Sequence, residues 1–257
     1  MRLLCPHRST PCPSRYWLLT GVVAGLLAPG CQEVDSPAEL DHAQVLAVQA
    51  NPAQIPAGGS AELDVLVAGP DGDIEILPGG LQWTVSAPGF VSGPGEVVFA
   101  ARPDDPDGSD GSAGQAWQYR APESLAGEPV MVTLSVDIEL PEGQEIPTLA
   151  AEKIIMLGVD SVPSPRVIGL AMNGAPIDER MALLPGDRAE LSLEVESATS
   201  GGLTTWHATC GTLEQYRESV ALYEAPAEPC TGVLYAIHRD ELGGVVWHSV
   251  PVVVARQ

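Results

Sequence analysis

Four closely spaced aspartates are the residues of this sequence best suited to bind a metal ion. They are Asp104, Asp105, Asp107 and Asp110, in the Gly- and Ser-rich stretch ARPDDPDGSDGSAG. Calcium takes several carboxylate and carbonyl oxygens from a flexible loop. The stretch lacks the Asp-x-Asp-x-Asp-Gly run that ends in a bidentate Glu. We interpret it as a solvated acidic loop, and a calcium-dependent adhesion module is the alternative hypothesis.

Histidines and a cysteine near the C-terminus form a weaker candidate. His207 and Cys210 have the spacing of zinc ligands, and His238 and His248 follow on later strands. We assign Cys210 to a disulfide instead. The sequence has no Gly-x-Ser-x-Gly nucleophile motif and no Gly-rich phosphate loop. The sequence therefore predicts neither an enzyme nor a bound cofactor.

The charge of the chain limits its partners. Lys and Arg total 12 against 34 Asp and Glu, which gives a formal net charge of −22. Nucleic acids and anionic lipid surfaces are bound by basic patches. The sequence therefore argues against nucleic-acid binding.

The N-terminal segment has the features of an export signal. Arg2, Arg8 and Arg15 precede YWLLTGVVAGLL (16–27), which contains no charged residue. A basic region followed by a short apolar run and a small residue is typical of a secretory signal. The run is shorter than the roughly 20 residues that span a bilayer. We predict a signal peptide over residues 1–30; cleavage nearby by an ordinary signal peptidase and a retained anchor are the alternatives.

The segment Ala28-Pro29-Gly30-Cys31 resembles the bacterial lipobox. It departs from that family at Ala28, where Leu is usual, and at Pro29, where Ala or Ser is usual. The resemblance implies that Cys31 is lipidated and becomes the mature N-terminus, followed by a tether over 31–42. Gln32 rather than Asp after the cysteine favours the outer over the inner membrane, by analogy with lipoprotein sorting.

Two cysteines remain for a disulfide. Cys5 and Cys12 lie in the predicted signal, and Cys31 would carry the lipid. In an exported, oxidising compartment, Cys210 and Cys230 are then expected to pair. Such a bond stabilises a domain by about 3 kcal/mol in the chain-entropy model.

Alternation of apolar and polar residues recurs throughout the rest of the chain. Val132, Leu134, Val136, Ile138 and Leu140 alternate with polar residues, which predicts a half-buried strand. The 27 glycines and 24 prolines are scattered as turn signals between such runs. We predict an all-β fold.

The pattern occurs twice. IPAGGSAELDVLV (55–67) matches LLPGDRAELSLEV (183–195). GGLQW (79–83) matches GGLTTW (201–206), and WQYRAP (117–122) matches ALYEAP (221–226). These two matches align Trp83 with Trp206 and Tyr119 with Tyr223, which we predict to be core residues. The same alignment places Ala87 and Ala126 opposite Cys210 and Cys230 in the other copy. The segment between the matched Trp and Tyr is roughly twice as long in the first copy, because it contains the Asp-rich stretch.

The Pro-Gly turn, the Trp within the domain and the Tyr-x-Ala-Pro before a final hairpin resemble bacterial immunoglobulin-like domains. The resemblance implies two tandem β-sandwiches, at 43–160 and 166–257, with a linker at 161–165. Together with the lipobox resemblance, it implies a non-enzymatic lipoprotein that serves as a structural, adhesive or spacer module. Its partner would be an unknown envelope protein or polysaccharide, and an accessory subunit of an envelope complex is a further alternative. Trp117 and Trp247 have no match between the copies; Trp247 is expected in a core, and Trp117 is left open.

Overall fold

The computed structural model describes residues 38–87, 95–101, 115–125 and 129–256. They form 18 β-strands, and the only helical element among the described residues is a 3-10 turn at Pro78–Gly80. The prediction of an all-β fold is confirmed. No helix in the described part of the chain is long and apolar enough to cross a membrane.

The strands fall into two groups of nine that follow each other along the chain. The first group is β1 (Gln44–Asn51), β2 (Gln54–Ile55), β3 (Ser60–Gly69), β4 (Gly72–Asp73), β5 (Leu81–Ser86), β6 (Glu96–Ala101), β7 (Gln115–Arg120), β8 (Val130–Glu139) and β9 (Thr148–Leu157). The second is β10 (Arg166–Met172), β11 (Ala175–Pro176), β12 (Met181–Leu183), β13 (Arg188–Glu196), β14 (Gly202–Ala208), β15 (Thr212–Glu214), β16 (Val220–Glu224), β17 (Cys230–Asp240) and β18 (Val245–Val254).

Each group forms two sheets with the same strand order. In the first group, sheet I is β1-β3-β7-β6 with β4 beside β3, and sheet II is β2-β9-β8-β5. In the second group, sheet III is β12-β18-β17-β14, and sheet IV is β11-β10-β13-β16-β15. In immunoglobulin notation, both groups have strands A, B, E and D in one sheet and strands G, F and C in the other. The structure therefore contains two immunoglobulin-like sandwiches.

The predicted alternation explains how each sandwich closes. Val132, Leu134, Val136 and Ile138 on β8 are fully buried, whereas the residues between them are partly or fully exposed. Sheets I and II enclose the core of the first sandwich, and sheets III and IV enclose the core of the second, which is centred on Trp206. Each fully buried aliphatic side chain stabilises the fold by about 1.5–3 kcal/mol through removal from water.

The two matched tyrosines occupy the same place in the two sandwiches. Tyr119 on β7 and Tyr223 on β16 are both buried, and burial raises the pKa of each hydroxyl to about 12. Each ring lies against a glycine with positive φ, Gly95 or Gly211, where a Cβ would come within 2.6 or 2.4 Å of the tyrosine oxygen. The Tyr223 hydroxyl donates to the Cys210 carbonyl at 2.7 Å. The tyrosines therefore fix the chain just before β6 and β15.

Candidate functional site at the contact between the two sandwiches

The two sandwiches share an apolar contact that the sequence analysis did not predict. On the first sandwich it is formed by the outer face of sheet I, and on the second by the outer face of sheet III. We call this contact the junction. Its buried side chains are Leu40, Leu46, Ala47, Leu66 and Ala68 on one side, and Tyr235, Ile237 and Val245 on the other, with Val233 and Trp247 packed against them.

A β-bulge on the first strand shapes the junction. The pairing of β1 with β3 shifts between Val45 and Ala47, which leaves Leu46 without a partner in the ladder. Leu46 packs in the junction, and its carbonyl accepts a hydrogen bond from Arg239 Nη2 at 2.5 Å. The bulge therefore directs one backbone acceptor of the first sandwich toward a side chain of the second.

Hydrogen bonds cross the junction in both directions. From the first sandwich, Gln49 donates to the Val245 carbonyl at 2.5 Å, and Lys153 Nζ donates to the Gly243 carbonyl. From the second sandwich, the Arg239 guanidinium donates to the Leu46 carbonyl. Because these bonds join side chains to backbone groups, they fix the β17–β18 hairpin against the first sandwich.

The chain ahead of β1 also binds to the second sandwich. Ala38, Glu39 and Leu40 run parallel to the end of β14, and Glu39 bridges Ala208. Ala208 donates to the Ala38 carbonyl at 2.9 Å, and Leu40 donates to the Ala208 carbonyl at 3.2 Å. Ala38 is fully buried in the core of the second sandwich. Part of the segment predicted as a tether is thus an additional edge pairing on sheet III.

A cavity of about 510 Å³ opens beside the junction. Edge strand β1 forms one wall, strand β9 forms another, and the β17–β18 hairpin closes one end. The lining combines aliphatic side chains with Lys153, Arg239, Asp240 and Glu152. Two cations and two carboxylates are thus gathered around a space with apolar walls.

Lys153 is a charged residue on the core face of its strand. It pairs with the fully buried Leu134, and only 8% of Lys153 is exposed. Burial, assisted by the positive charge of Arg239, lowers the pKa of Lys153 to about 8, and Asp240 opposes the shift. Burial also lowers the pKa of Arg239. In this position the charged form of each side chain is therefore less stable than it is in water.

The carboxylate of Asp240 accepts hydrogen bonds within its own β17–β18 hairpin. Its Oδ1 accepts hydrogen bonds from the backbone amides of Leu242 at 2.9 Å and Gly244 at 2.6 Å. Its Oδ2 accepts a bond from Ser197 at 3.4 Å. Asp240 forms no ion pair with Lys153 or Arg239, and its carboxylate serves to hold the turn.

Tyr235 connects the junction to the β3–β4 hairpin. It is fully buried, and Asp73 lies beside its hydroxyl. Burial, followed by the neighbouring Asp73 carboxylate, raises the pKa of Tyr235. Gly72 fits closely here, because a Cβ at that position would lie 3.2 Å from Val233.

The predicted disulfide between Cys210 and Cys230 is confirmed, with Cα atoms 6.4 Å apart. The alignment of its positions with the first copy needs a correction. Cys230 begins β17 opposite Val254, and Val130 begins β8 opposite Leu157. Val130 is therefore the structural equivalent of Cys230, four residues after Ala126, because the first copy has a longer connection here.

The matched tryptophans also occupy equivalent strands. Trp83 on β5 pairs with Val136, and Trp206 on β14 pairs with Ala236. Trp206 is fully buried and donates from Nε1 to the Glu218 carbonyl at 2.9 Å. Trp83 is half-buried and packs against both apolar clusters of the first sandwich.

The unmatched tryptophans lie in different settings. Trp117 packs against the first core, with its ring centroid 5.3 Å from that of Phe99. Trp247 packs at the junction rather than inside the second sandwich.

The remaining predicted site residues either lie outside the described part of the chain or are not gathered into one site within it. Cys31 and the four aspartates Asp104, Asp105, Asp107 and Asp110 lie outside the described residues. His207 lies on the outer face of β14, opposite Tyr235. His238 and His248 belong to the inner face of sheet III, and burial lowers the pKa of His238. Among the described residues, no group of three or more His, Cys, Asp or Glu side chains could hold a metal ion.

Comparisons with known proteins give distant structural likenesses. No family model and no curated protein sequence matches the chain. Tandem Ig repeats of Dlar are similar at 10% identity and a TM-score of 0.29, over 84% of this chain and 98% of that one. Fibronectin(III)-like modules of CbhA from Clostridium thermocellum are similar at 12% identity and a TM-score of 0.30, over 82% of this chain and 93% of that one. The C-terminal 282-residue fragment of intimin, in complex with the intimin-binding domain of its translocated receptor, is similar at 9% identity and a TM-score of 0.27, over 80% and 63%.

The class of the protein follows from its own strand order rather than from these low scores. Two sandwiches with the order A-B-E-D and G-F-C, joined by a buried face, define a tandem immunoglobulin-like β protein.

Proposed function

We propose that this chain is an envelope-anchored lipoprotein without enzymatic activity, which serves as a structural, adhesive or spacer module. The observation that carries the proposal is the junction. Buried apolar side chains and crossing hydrogen bonds hold the two sandwiches in one orientation. A protein that presents a binding surface to a partner benefits from such rigidity, because less conformational entropy is lost on binding.

The proposed anchor is Cys31, at the end of the apolar run 16–27. The first described residue, Ala38, is already packed on the second sandwich. Seven residue steps span at most about 25 Å when fully extended. A lipid on Cys31 would therefore hold both sandwiches close to the membrane, and we favour the outer over the inner membrane.

The anchor is tested by expressing the full chain and its Cys31→Ser variant in a bacterium that processes lipoproteins. We expect the parent protein to partition into the detergent phase and the variant into the aqueous phase. Mass spectrometry should find an acylated Cys31 at the mature N-terminus. An unmodified N-terminus at another residue would refute the lipid anchor.

The partner is proposed to be an envelope protein or polysaccharide. Capture on the intact, membrane-bound chain, followed by identification of the retained protein or glycan, tests this part separately. A stoichiometric envelope protein would favour the role of an accessory subunit. A retained glycan would favour adhesion.

A further inference from the structure

We propose that the cavity beside the junction binds an organic acid, with its carboxylate on Lys153 and Arg239 and its apolar part against the aliphatic wall. This site concerns the described sandwiches alone and goes beyond the envelope role proposed above.

Lys153 is buried and Arg239 is half-buried, so both cations are largely removed from water. Cations in protein interiors are normally paired with carboxylates, because an isolated buried charge is costly. Lys153 and Arg239 form none of the ion pairs found among the described residues. Their acceptors are neutral: the carbonyls of Gly243 and Leu46, and the hydroxyl of Thr205 at 3.0 Å. A bound anion would supply the missing charge.

Basic residues are scarce in this chain. Lys153 is the only lysine of the chain, and basic residues are outnumbered by 34 acidic ones. Acidic side chains could therefore have paired with either cation at many positions. Two carboxylates line the cavity, and both bind other groups: Asp240 accepts from the backbone amides of its own hairpin and from Ser197, and Glu152 accepts from Ser135 at 3.5 Å. Neither forms one of the ion pairs among the described residues, so an anionic ligand could still pair with both cations.

The size and lining of the cavity fit a small organic acid. Its volume of about 510 Å³ lies in the range of 300–1,000 Å³ that is usual for small-molecule sites. Val45, Val48 and Ile154 line it together with the two cations. A simple inorganic anion would leave the aliphatic wall unused, whereas a carboxylate with an attached hydrocarbon group matches both parts.

Two sources could supply this chemistry: a free aliphatic acid, or the C-terminal carboxylate of a peptide that ends in an apolar residue. The shared recognition is a carboxylate followed by a branched apolar group. We choose 4-methylpentanoate as the first probe and N-acetyl-Ala-Leu with a free carboxylate as the second. The corresponding amides are the neutral controls.

The test uses the single lysine as its reporter. The full chain, labelled with ¹³C at the lysine ε carbon, carries one labelled side chain, whose chemical shift follows its ionisation. Without ligand, the midpoint should lie near pH 8. A bound carboxylate stabilises the ammonium, so saturating 4-methylpentanoate should raise the midpoint by about one unit, equivalent to tenfold tighter binding to the charged form. The amide and acetate should leave the midpoint in place.

Variants separate the site from a general salt effect. Arg239→Gln should weaken binding of the acid at least tenfold, whereas Arg166→Gln should not, because Arg166 forms an exposed pair with Glu196 on sheet IV. Tighter binding of the peptide than of the free acid would identify a peptide terminus as the source, and the reverse would identify a small acid.

The comparison of acid with amide uses the unaltered chain. The proposal can therefore be tested even if the Arg239→Gln variant does not fold. Equal effects of acid and amide, or no movement of the lysine signal with either acid, would overturn the proposal. Neither result would affect the test of the lipid anchor.

Discussion

Replacement of Ile237 by alanine tests whether the junction holds the two sandwiches together. Ile237 is fully buried on the outer face of sheet III, against the first sandwich. Truncation of a buried isoleucine to alanine costs about 2–5 kcal/mol, through lost burial and the cavity left behind. For a unit of this size, 1 kcal/mol lowers the melting temperature by about 2–4 °C. We therefore expect a drop of about 6–12 °C for a loss near 3 kcal/mol.

The assay is thermal and urea unfolding, followed by near-ultraviolet circular dichroism and tryptophan fluorescence. The parent protein should unfold in one transition, because the junction couples the sandwiches. The variant should show two transitions or a broadened one, since the coupling is weakened while each core remains intact. The control is Ile168→Ala, because Ile168 lies at the corresponding bulge of β10 and is 50% exposed.

Ile168→Ala should change the free energy of unfolding by less than about 0.5 kcal/mol, as is usual for surface substitutions. If Ile237→Ala has an effect as small as that of the control, the junction does not contribute to stability, and our reasoning on rigidity fails.

Reduction of the Cys210 disulfide should lower the free energy of unfolding by about 2–4 kcal/mol, and Cys210→Ala should show the same loss without reductant; equal urea midpoints for oxidised and reduced protein would contradict this. The pKa of Lys153 is about 8 in the folded protein and 10.5 ordinarily, so the unfolded chain binds more protons in this window and stability should rise by about 1–2 kcal/mol between pH 7.5 and 9.5. Lys153→Met should abolish that rise, and an unchanged slope in the variant would exclude Lys153 as its cause. Gly211→Ala should destabilise the second sandwich by more than about 1 kcal/mol, because Gly211 has positive φ and its new Cβ would meet the Tyr223 hydroxyl. The control is Gly186→Ala, which is also at positive φ but in open space. The difference between the two variants in the same melting experiment separates the steric clash from the backbone effect.

Local patterns were sufficient to predict the strands, the internal repeat and the disulfide. Alternation along β8 assigned the inner face correctly, because each apolar side chain of that strand faces one core. The two cysteines could be paired by elimination of the others. The position equivalent to Cys230 was wrong by four residues, because counting from Tyr119 ignores the longer connection that precedes β8.

The junction was not predicted, because strand β17 is apolar on both faces instead of alternating between apolar and polar residues. On β17, Tyr235 and Ile237 occupy positions where the equivalent strand β8 has Ser135 and Asp137. A strand that is apolar on both faces is expected to be covered on both. Sequence shows that the outer face of β17 is buried, but which surface covers it depends on a contact with residues almost two hundred positions away.

Lys153 could have been singled out as a candidate site residue from its position in the strand alone. Lys153 stands between Ala151 and Ile155 on the core face of an otherwise alternating strand. A lone charged residue at a core position is unusual and is usually compensated. Its proximity to Arg239, however, is created only by the packing of the two sandwiches, so the site itself could not be predicted.

The pairing of Ala38 and Leu40 with Ala208 has a mechanical consequence. Any tension applied to the chain from its N-terminal side reaches this short pairing before it reaches β1. The backbone hydrogen bonds of Ala38 and Leu40 with Ala208 resist it, together with burial of Ala38 and Leu40, whereas β1 is held along most of its length by β3. Moderate force should therefore separate residues 38–40 from β14, releasing up to about 10 Å of chain while both sandwiches stay folded. The segment would extend reversibly: the N-terminal connection lengthens under load and shortens again when the load is removed.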